Sequence, residues 1–305
     1  MEFHLFLPQM RLSFDRLSAT ARAAEAAGFG GIAGMDHLSP PNADGQPMYE
    51  AMVTNTWLAA RTERLVVGSL VLCDAFRHPA VLASEAVSLD HASGGRFELG
   101  LGWGSFPDDF ARFGVEPAEP AARVRRLRET LEVLRALWAG ETVDYDGEFH
   151  HLSGAAQAPG PLARIPIVIG GAGPKTLALV REFADWWNIP VHRLDRLEGT
   201  RPQAGAARVS VQQMVAYVGQ GADRAAVTEL AKRRFGHVNP VIGTGPELAD
   251  YFAGLAGRGV DRVYTWFCDF AAPDTLAGFG AEVIGTGTIG TGVIGPPVIG
   301  AGIRP

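Results

Sequence analysis

The chain has 305 residues, 47% of them hydrophobic, and a formal net charge of −6 with acidic and basic residues mixed along its length. That length allows one large buried core, and the lack of a basic run argues against a nucleic-acid or anionic-membrane partner. The two cysteines, Cys73 and Cys268, lie far apart, which excludes a disulfide scaffold and fits a reducing compartment.

The opening Met1-Glu2-Phe3-His4 lacks the basic start of a signal peptide, and no window reaches about 18 apolar residues, so a cytoplasmic chain without membrane spans is expected. Short apolar runs then alternate with helical periodicity. Phe3 to Pro8 predicts a strand. Phe14 to Ala27 predicts a helix with Leu17, Ala21 and Ala24 on one face, stopped by Gly28. Gly31 to Asp36 is the second strand, Tyr49 to Ala60 a helix, and Leu65 to Cys73 a strand apolar enough for burial on both faces. Pro79 to His91 reads as a helix with proline in its first turn, followed by a strand over Phe97 to Gly102. The clearest amphipathic helix carries Val124, Leu127, Leu131, Leu134 and Trp138 on one face and ends at Gly140. Thr142 to Leu152 predicts a hairpin around Asp146-Gly147.

The second half repeats the rhythm. Strands are expected at Ile165 to Ile169, Trp187 to Val191, Arg208 to Val218 and Arg262 to Phe267, with helices at Pro174 to Ala184, Arg224 to Phe235 and Pro246 to Gly257. Eight strands alternating with helices predict an α/β fold, a (β/α)8 barrel formed by residues 1–283, with an open doubly wound sheet as the alternative. Residues 284–305 repeat Ile-Gly and Thr-Gly units with no helical period and predict a low-complexity tail.

Ligands bind at the C-terminal rim of such a barrel, and three features of that rim stand out. Ser93-Gly94-Gly95-Arg96-Phe97-Glu98-Leu99-Gly100-Leu101-Gly102-Trp103-Gly104 reads as a turn, a strand and a glycine-rich exit that would let a flat ligand come close. The second strand ends in Asp36-His37, and histidine is the side chain best suited to exchange a proton near neutral pH. A loop histidine bonded to its neighbours is the alternative. Gly170-Gly171-Ala172-Gly173-Pro174-Lys175-Thr176 opens a helix with free N–H groups suited to phosphate, though its spacing is neither Walker A nor Rossmann. Cys73 reads as a small buried hydrophobe, Asp108-Asp109 as a carboxylate pair complementing a helix start, and His150-His151 as part of an exposed hairpin. There is no HExxH, cysteine cluster or GxSxG elbow, so neither a metal site nor a serine hydrolase is expected.

Taken together, these segments resemble the luciferase-like monooxygenase superfamily, barrels that use flavin or the deazaflavin coenzyme F420. The resemblance covers most of residues 1–283. It rests on Ala24 to Gly34 with Asp36-His37, on Phe76-Arg77-His78-Pro79, and on Leu89-Asp90 through Gly104. Asp109-Phe110 with Phe113-Gly114, Gly170 through Leu177, Ala184-Asp185 with Trp187-Asn188, and Gly243-Thr244 with Gly259-Val260-Asp261 extend it.

The resemblance implies a ring system across the barrel mouth, with its phosphate held by the loop from Gly170 to Thr176. Leu70-Val71 matches a non-proline cis peptide that backs the ring in relatives. The pairing of Asp36-His37 with the glycine loop resembles the deazaflavin branch, in which the histidine lies near the redox carbon. Trp103 replaces an arginine that binds flavin phosphate in the bacterial luciferases. Ser105 replaces a glutamate of the sugar-phosphate dehydrogenases, so that activity is not expected. The segment from His192 to Ala207 is short for the family, which puts its sixth helix in doubt.

The expected function is therefore hydride transfer between F420 and a small organic substrate. His37 would be the proton donor or acceptor and Trp103 a pocket wall. Asp36, Leu70, Val71, Gly104, Gly170, Gly171, Gly173, Lys175 and Thr176 would bind cofactor. The alternatives are a two-component monooxygenase supplied with reduced FMN by a partner reductase, and a catalytically silent flavin-binding barrel. Barrels of this kind usually pair through helices, so a homodimer is expected.

Overall fold

The computed structural model describes residues 1–285 except 42, 105, 116–118 and 239. Its strands are β1 (Glu2–Phe6), β2 (Gly31–Gly34), β3 (Val66–Ser69), β4 (Leu72–Cys73), β5 (Phe97–Gly102), β6 (Val143–Asp146), β7 (His151–Ala155), β8 (Ile167–Gly170), β9 (Trp186–Ile189), β10 (Arg208–Tyr217), β11 (Val241–Gly243) and β12 (Arg262–Phe267). Eight of them close a parallel barrel in the order β1-β2-β3-β5-β8-β9-β10-β12, with β12 returning to β1 through Phe3↔Val263 and its neighbours. Closure decides against the open sheet.

The helices are α1 (Phe14–Ala26), α2 (Ala51–Ala59), α3 (Pro79–Ser93), α4 (Pro107–Phe113), α5 (Pro120–Trp138), α6 (Pro174–Phe183), α7 (Leu197–Thr200), α8 (Arg224–Phe235), α9 (Gly245–Gly257) and α10 (Pro273–Phe279). Side chains set several of the starts. Ser13 accepts from the Arg16 N–H at 3.2 Å to cap α1, and Thr244 with Glu247 forms a capping box on α9. Among the described residues, no helix is long and apolar enough to cross a membrane.

Several expected elements differ from the observed ones. The strand expected over Leu65 to Cys73 is interrupted at Leu70-Val71 by the non-proline cis peptide that the resemblance implies, and β4 resumes pairing on β5 through Leu72↔Leu101 and Cys73↔Gly102. The short β11 beside the end of β10 and the helix α10 are not among the expected elements, and α4 is the helix whose start Asp108-Asp109 marks. The sixth helix is replaced by short helical turns over Val191–Arg196, Leu197–Thr200 and Arg201–Ala204. Ile284, expected to begin the tail, packs against the core in a last helical turn, and its Cγ2 lies next to Gly28. Residues 286–305 of the expected tail lie outside the described residues.

The N-terminal end of the barrel is filled by charge. Arg262, 2% exposed, donates to Glu98 at 2.6 and 2.8 Å and to Glu2 at 2.8 and 2.9 Å, while Tyr264 donates to Glu98 at 2.8 Å. The Trp186 ring stacks on the same guanidinium at 3.6 Å. This closed layer leaves the opposite, C-terminal end as the place where the barrel can admit a ligand.

Candidate active site

A cavity of about 480 Å³ opens at that end, within the roughly 300–1,000 Å³ typical of small-molecule sites. Its walls follow the strand ends in turn. Met35, Asp36 and His37 follow β2, Leu70 to Cys73 and Phe76 follow β3, and Gly102 to Gly104 lead into Phe106, Asp109 and Phe110 of the α4 segment. Gly170 to Gly173 with Thr176 close the β8 side, and Gln212 and Met214 enter from β10.

A histidine–carboxylate pair in this cavity brings β2 and α4 together. His37 Nδ1 lies 2.7 Å from Asp109 Oδ2, and Ser39 donates to Asp109 Oδ1 at 3.2 Å. The Asp109 side chain is only 2% exposed and that of His37 is 23% exposed. A buried carboxylate facing Nδ1 fixes the ring with its proton there, which leaves the Nε2 lone pair as the reactive position of the neutral ring. Asp109 therefore does more than complement a helix start. Its role is invisible in sequence because its partner is 72 residues away.

Asp36 sits in the wall, but its carboxylate is already engaged. Arg77 donates to both oxygens at 2.7 and 3.0 Å, and the Cys73 N–H donates to Oδ2 at 2.7 Å. Arg77 also binds Glu50, and these two carboxylates hold its guanidinium above its ordinary pKa against burial. The arrangement ties the residue before His37 to the backbone of β4. Cys73 is buried as expected, and burial pushes its thiol up to about 12, so it is no nucleophile.

The glycines of β5 admit a close approach by the chain itself. A Cβ on Gly102 would meet Val71 Cγ2 at 2.7 Å, and one on Gly100 would meet Val71 Cγ1 at 3.2 Å and the Ser69 carbonyl. They make room for the Leu70-Val71 segment, so the surface offered to a ligand there combines Val71 with the backbone of Gly102. Gly104, at φ +77°, would place a Cβ 2.5 Å from the Phe110 ring and 2.9 Å from Cys73 Sγ, so it serves the seating of α4.

The loop before α6 keeps its expected character. Gly173 begins the helix without a side-chain cap, so first-turn N–H groups remain for a ligand, and buried Thr176 lines the cavity. The loop is pinned by the Gly171 N–H donating to the Asn188 carbonyl at 3.1 Å and by Trp187 Nε1 donating to the Gly171 carbonyl at 2.6 Å. Lys175 is exposed and does not line the cavity. Trp103 does line it, with Arg123 over its ring at 4.8 Å. Ser105 lies outside the described residues.

The adjacent His150-His151 pair separates. His151 is exposed, whereas His150 is buried and 3.2 Å from Thr130 Oγ1, and its burial lowers its pKa.

A closed parallel barrel with its cavity at the strand C-termini, a histidine–carboxylate pair on one wall and a glycine loop opening a helix on another defines a (β/α)8 barrel with a small-molecule-sized cavity at its C-terminal rim. The chain belongs to the luciferase-like monooxygenase family, whose model matches residues 1–227.

It is 36% identical over 163 residues to an F420-dependent glucose-6-phosphate dehydrogenase of Microbacterium testaceum, covering 53% of this chain and 48% of that protein. It is 37% identical over 154 residues to the enzyme of the same name from Mycolicibacterium fortuitum, covering 50% and 46%. The chain thus spans about half the length of the curated relatives it matches. Among solved structures it resembles an F420-dependent secondary alcohol dehydrogenase in complex with an F420-acetone adduct, with TM-score 0.80 and 16% identity over 93% of this chain and 98% of that one. An EDTA monooxygenase from Chelativorans has TM-score 0.77 and 15% identity over 93% of both chains. At these identities the likeness is one of fold.

Proposed function

We propose that the chain is an oxidoreductase that holds coenzyme F420 across the barrel mouth and moves a hydride between it and a small organic substrate. The observation that carries this reading is the His37–Asp109 pair, set in the same cavity as the Gly170–Thr176 loop. The residues present fit a flat ring with an anionic end. Val71 offers an apolar surface beside glycine backbone, and the loop presents first-turn N–H groups with the Thr176 hydroxyl. Leu70, Val71, Gly104, Gly170, Gly171, Gly173 and Thr176 would contact the cofactor, while Asp36 would act through Arg77 and the β4 backbone.

When bound, a deazaflavin supplies or accepts a hydride at its ring carbon. The chain's own part is to manage the proton. In the oxidative direction His37 Nε2 takes the substrate hydroxyl proton while the substrate carbon gives up its hydride. In the reductive direction the imidazolium returns a proton to the carbonyl oxygen. Asp109 stabilises the charged ring, and Trp103, Phe106 and Phe110 limit water around it.

The naming of the curated relatives as F420-dependent favours F420 over FMN. Titration with F420 and separately with FMN, each oxidised and reduced, tests this through cofactor fluorescence. Tighter binding of F420 is expected. A preference for reduced FMN, with oxygen uptake when a reductase is added, would replace this reading with the monooxygenase one. Binding of neither would remove the cofactor assignment.

A further inference from the structure

The cavity has two unlike ends. We propose that the end at His37 takes an uncharged, largely apolar ketone or the corresponding secondary alcohol and rejects sugar phosphates. The proposal rests on the hydride-transfer reading and names its substrate class.

The cavity lining contributed by the β2, β3 and β5 strand ends and the segments that follow them includes Met35, Leu70, Phe76, Trp103 and Phe106, with the Phe106 ring 5.4 Å from that of His37. Among the described residues, no lysine or arginine lines the cavity. The carboxylates that do line it, Asp36 and Asp109, are already engaged, by Arg77 and by His37 with Ser39. The guanidiniums behind this wall are engaged as well. Arg77 holds Asp36 and Glu50, and Arg123 donates to the Gly104 carbonyl at 2.8 Å while stacking over Trp103 and Phe110.

Positive charge gathers elsewhere. A second depression of about 400 Å³ shares Ala172, Gly173, Pro190 and His192 with the cavity and adds Arg193 and Arg196. It lies at the ends of β8 and β9, whereas His37 follows β2, three places away from β8 around the barrel. An anion is therefore met beside the start of α6, where the cofactor's phosphate would lie.

A phosphate dianion brought to the His37 end would lose water without gaining an unengaged lysine or arginine, which is unfavourable. A single carbonyl or hydroxyl oxygen, by contrast, is satisfied by His37 Nε2, and the hydrocarbon around it by the aromatic wall. This separates the chain from the sugar phosphate in the names of its curated relatives.

The test is ligand-observed saturation-transfer NMR on the full chain, without cofactor and with F420, using ketones from acetone to 2-octanone and glucose 6-phosphate. Turnover of F420 with the matching alcohols and with glucose 6-phosphate is measured alongside. Affinity is expected to climb with ketone length, so that 2-octanone binds about tenfold or more tighter than glucose 6-phosphate. Phe106→Ala should reverse about tenfold of that gain. Only the alcohols should be oxidised if F420 binds. Binding or oxidation of glucose 6-phosphate on a par with the neutral compounds, or no binding by any ketone, overturns the proposal. Failure of F420 to bind removes the cofactor reading instead, and the cofactor-free NMR series still decides the substrate class.

Discussion

Replacing Asp109 by Asn tests the proton chemistry with a change of one atom. Ser39 donates to Asp109 Oδ1 at 3.2 Å, and His37 Nδ1 faces Oδ2 at 2.7 Å. An asparagine that keeps its carbonyl oxygen toward Ser39 turns its NH2 toward His37. Nδ1 must then accept, and the ring proton moves to Nε2. The neutral ring can no longer take a proton from an alcohol at Nε2, and the imidazolium loses its carboxylate. Hydrogen bonds to charged groups contribute about 1.5–3 kcal/mol, and every 1.4 kcal/mol is about tenfold. Asp109→Asn should therefore lower kcat for alcohol oxidation about 10–100-fold with KM changed little. Carbonyl reduction, which needs a donor at Nε2, should suffer less. His37→Ala sets the limit at about 10²–10⁴-fold, the usual range for a general acid–base group. Steady-state rates of F420 reduction and F420H2 oxidation on each variant, with a thermal melt to confirm folding, make the comparison. A folded Asp109→Asn within threefold of the parent in both directions would refute the assignment, as would equal losses in the two directions.

Glu98→Ala removes both partners of Arg262 Nη1 except the Tyr264 hydroxyl and should cost about 3–5 kcal/mol in urea unfolding. The double variant Glu98→Met with Arg262→Met should recover much of that loss, and no recovery would show that the pair contributes more than its mutual neutralisation. Stability should also fall on acidification. His4 is held neutral by burial first and then by Arg262 and Arg208, so its folded pKa lies well below its unfolded value, and burial lowers that of His150 as well. The unfolded chain then binds the extra protons, and the loss begins as pH falls below about 6.5, with a slope of up to about 1.4 kcal/mol per pH unit for each histidine. Urea midpoints between pH 7.5 and 5 for the parent and His150→Gln check this, and an unchanged slope in the variant would exclude His150 as a source.

Most of the barrel could be read from the chain because each strand is a local apolar run and each helix a local period. The interruption at Leu70-Val71 follows Gly68 and Ser69, which are small enough to pass as strand residues, so the pattern alone predicts one long strand where β3 and β4 stand and only the resemblance marks the bond. Only the start of helix α4 shows in the sequence, at Asp108-Asp109, because Pro107 to Phe113 is too short for a period to appear. The closing layer of Glu98, Arg262 and Glu2 was equally hidden, since isolated charges inside apolar strands gain meaning only when closure brings residues 2, 98 and 262 together.

The site was legible where function resides in the backbone and obscure where it depends on side chains meeting across the rim. The glycine loop and the histidine after β2 are visible as sequence because helix starts and strand ends are local. Asp109 looked like half of an acidic pair at a helix start, and only the fold sets it against His37 and leaves Asp108 in solvent. The glycines of β5 mark a close approach, and the atoms that approach Gly100 and Gly102 belong to Val71 and Ser69 of the same chain. A ligand on this barrel would meet Val71 together with the backbone of Gly102 at the end of β5. Substitutions at Gly100 or Gly102 should then disturb a cofactor by displacing Val71, whereas substitutions at Gly173, whose missing Cβ has no atom nearer than Thr176 Oγ1 at 4.0 Å, would act on a ligand directly.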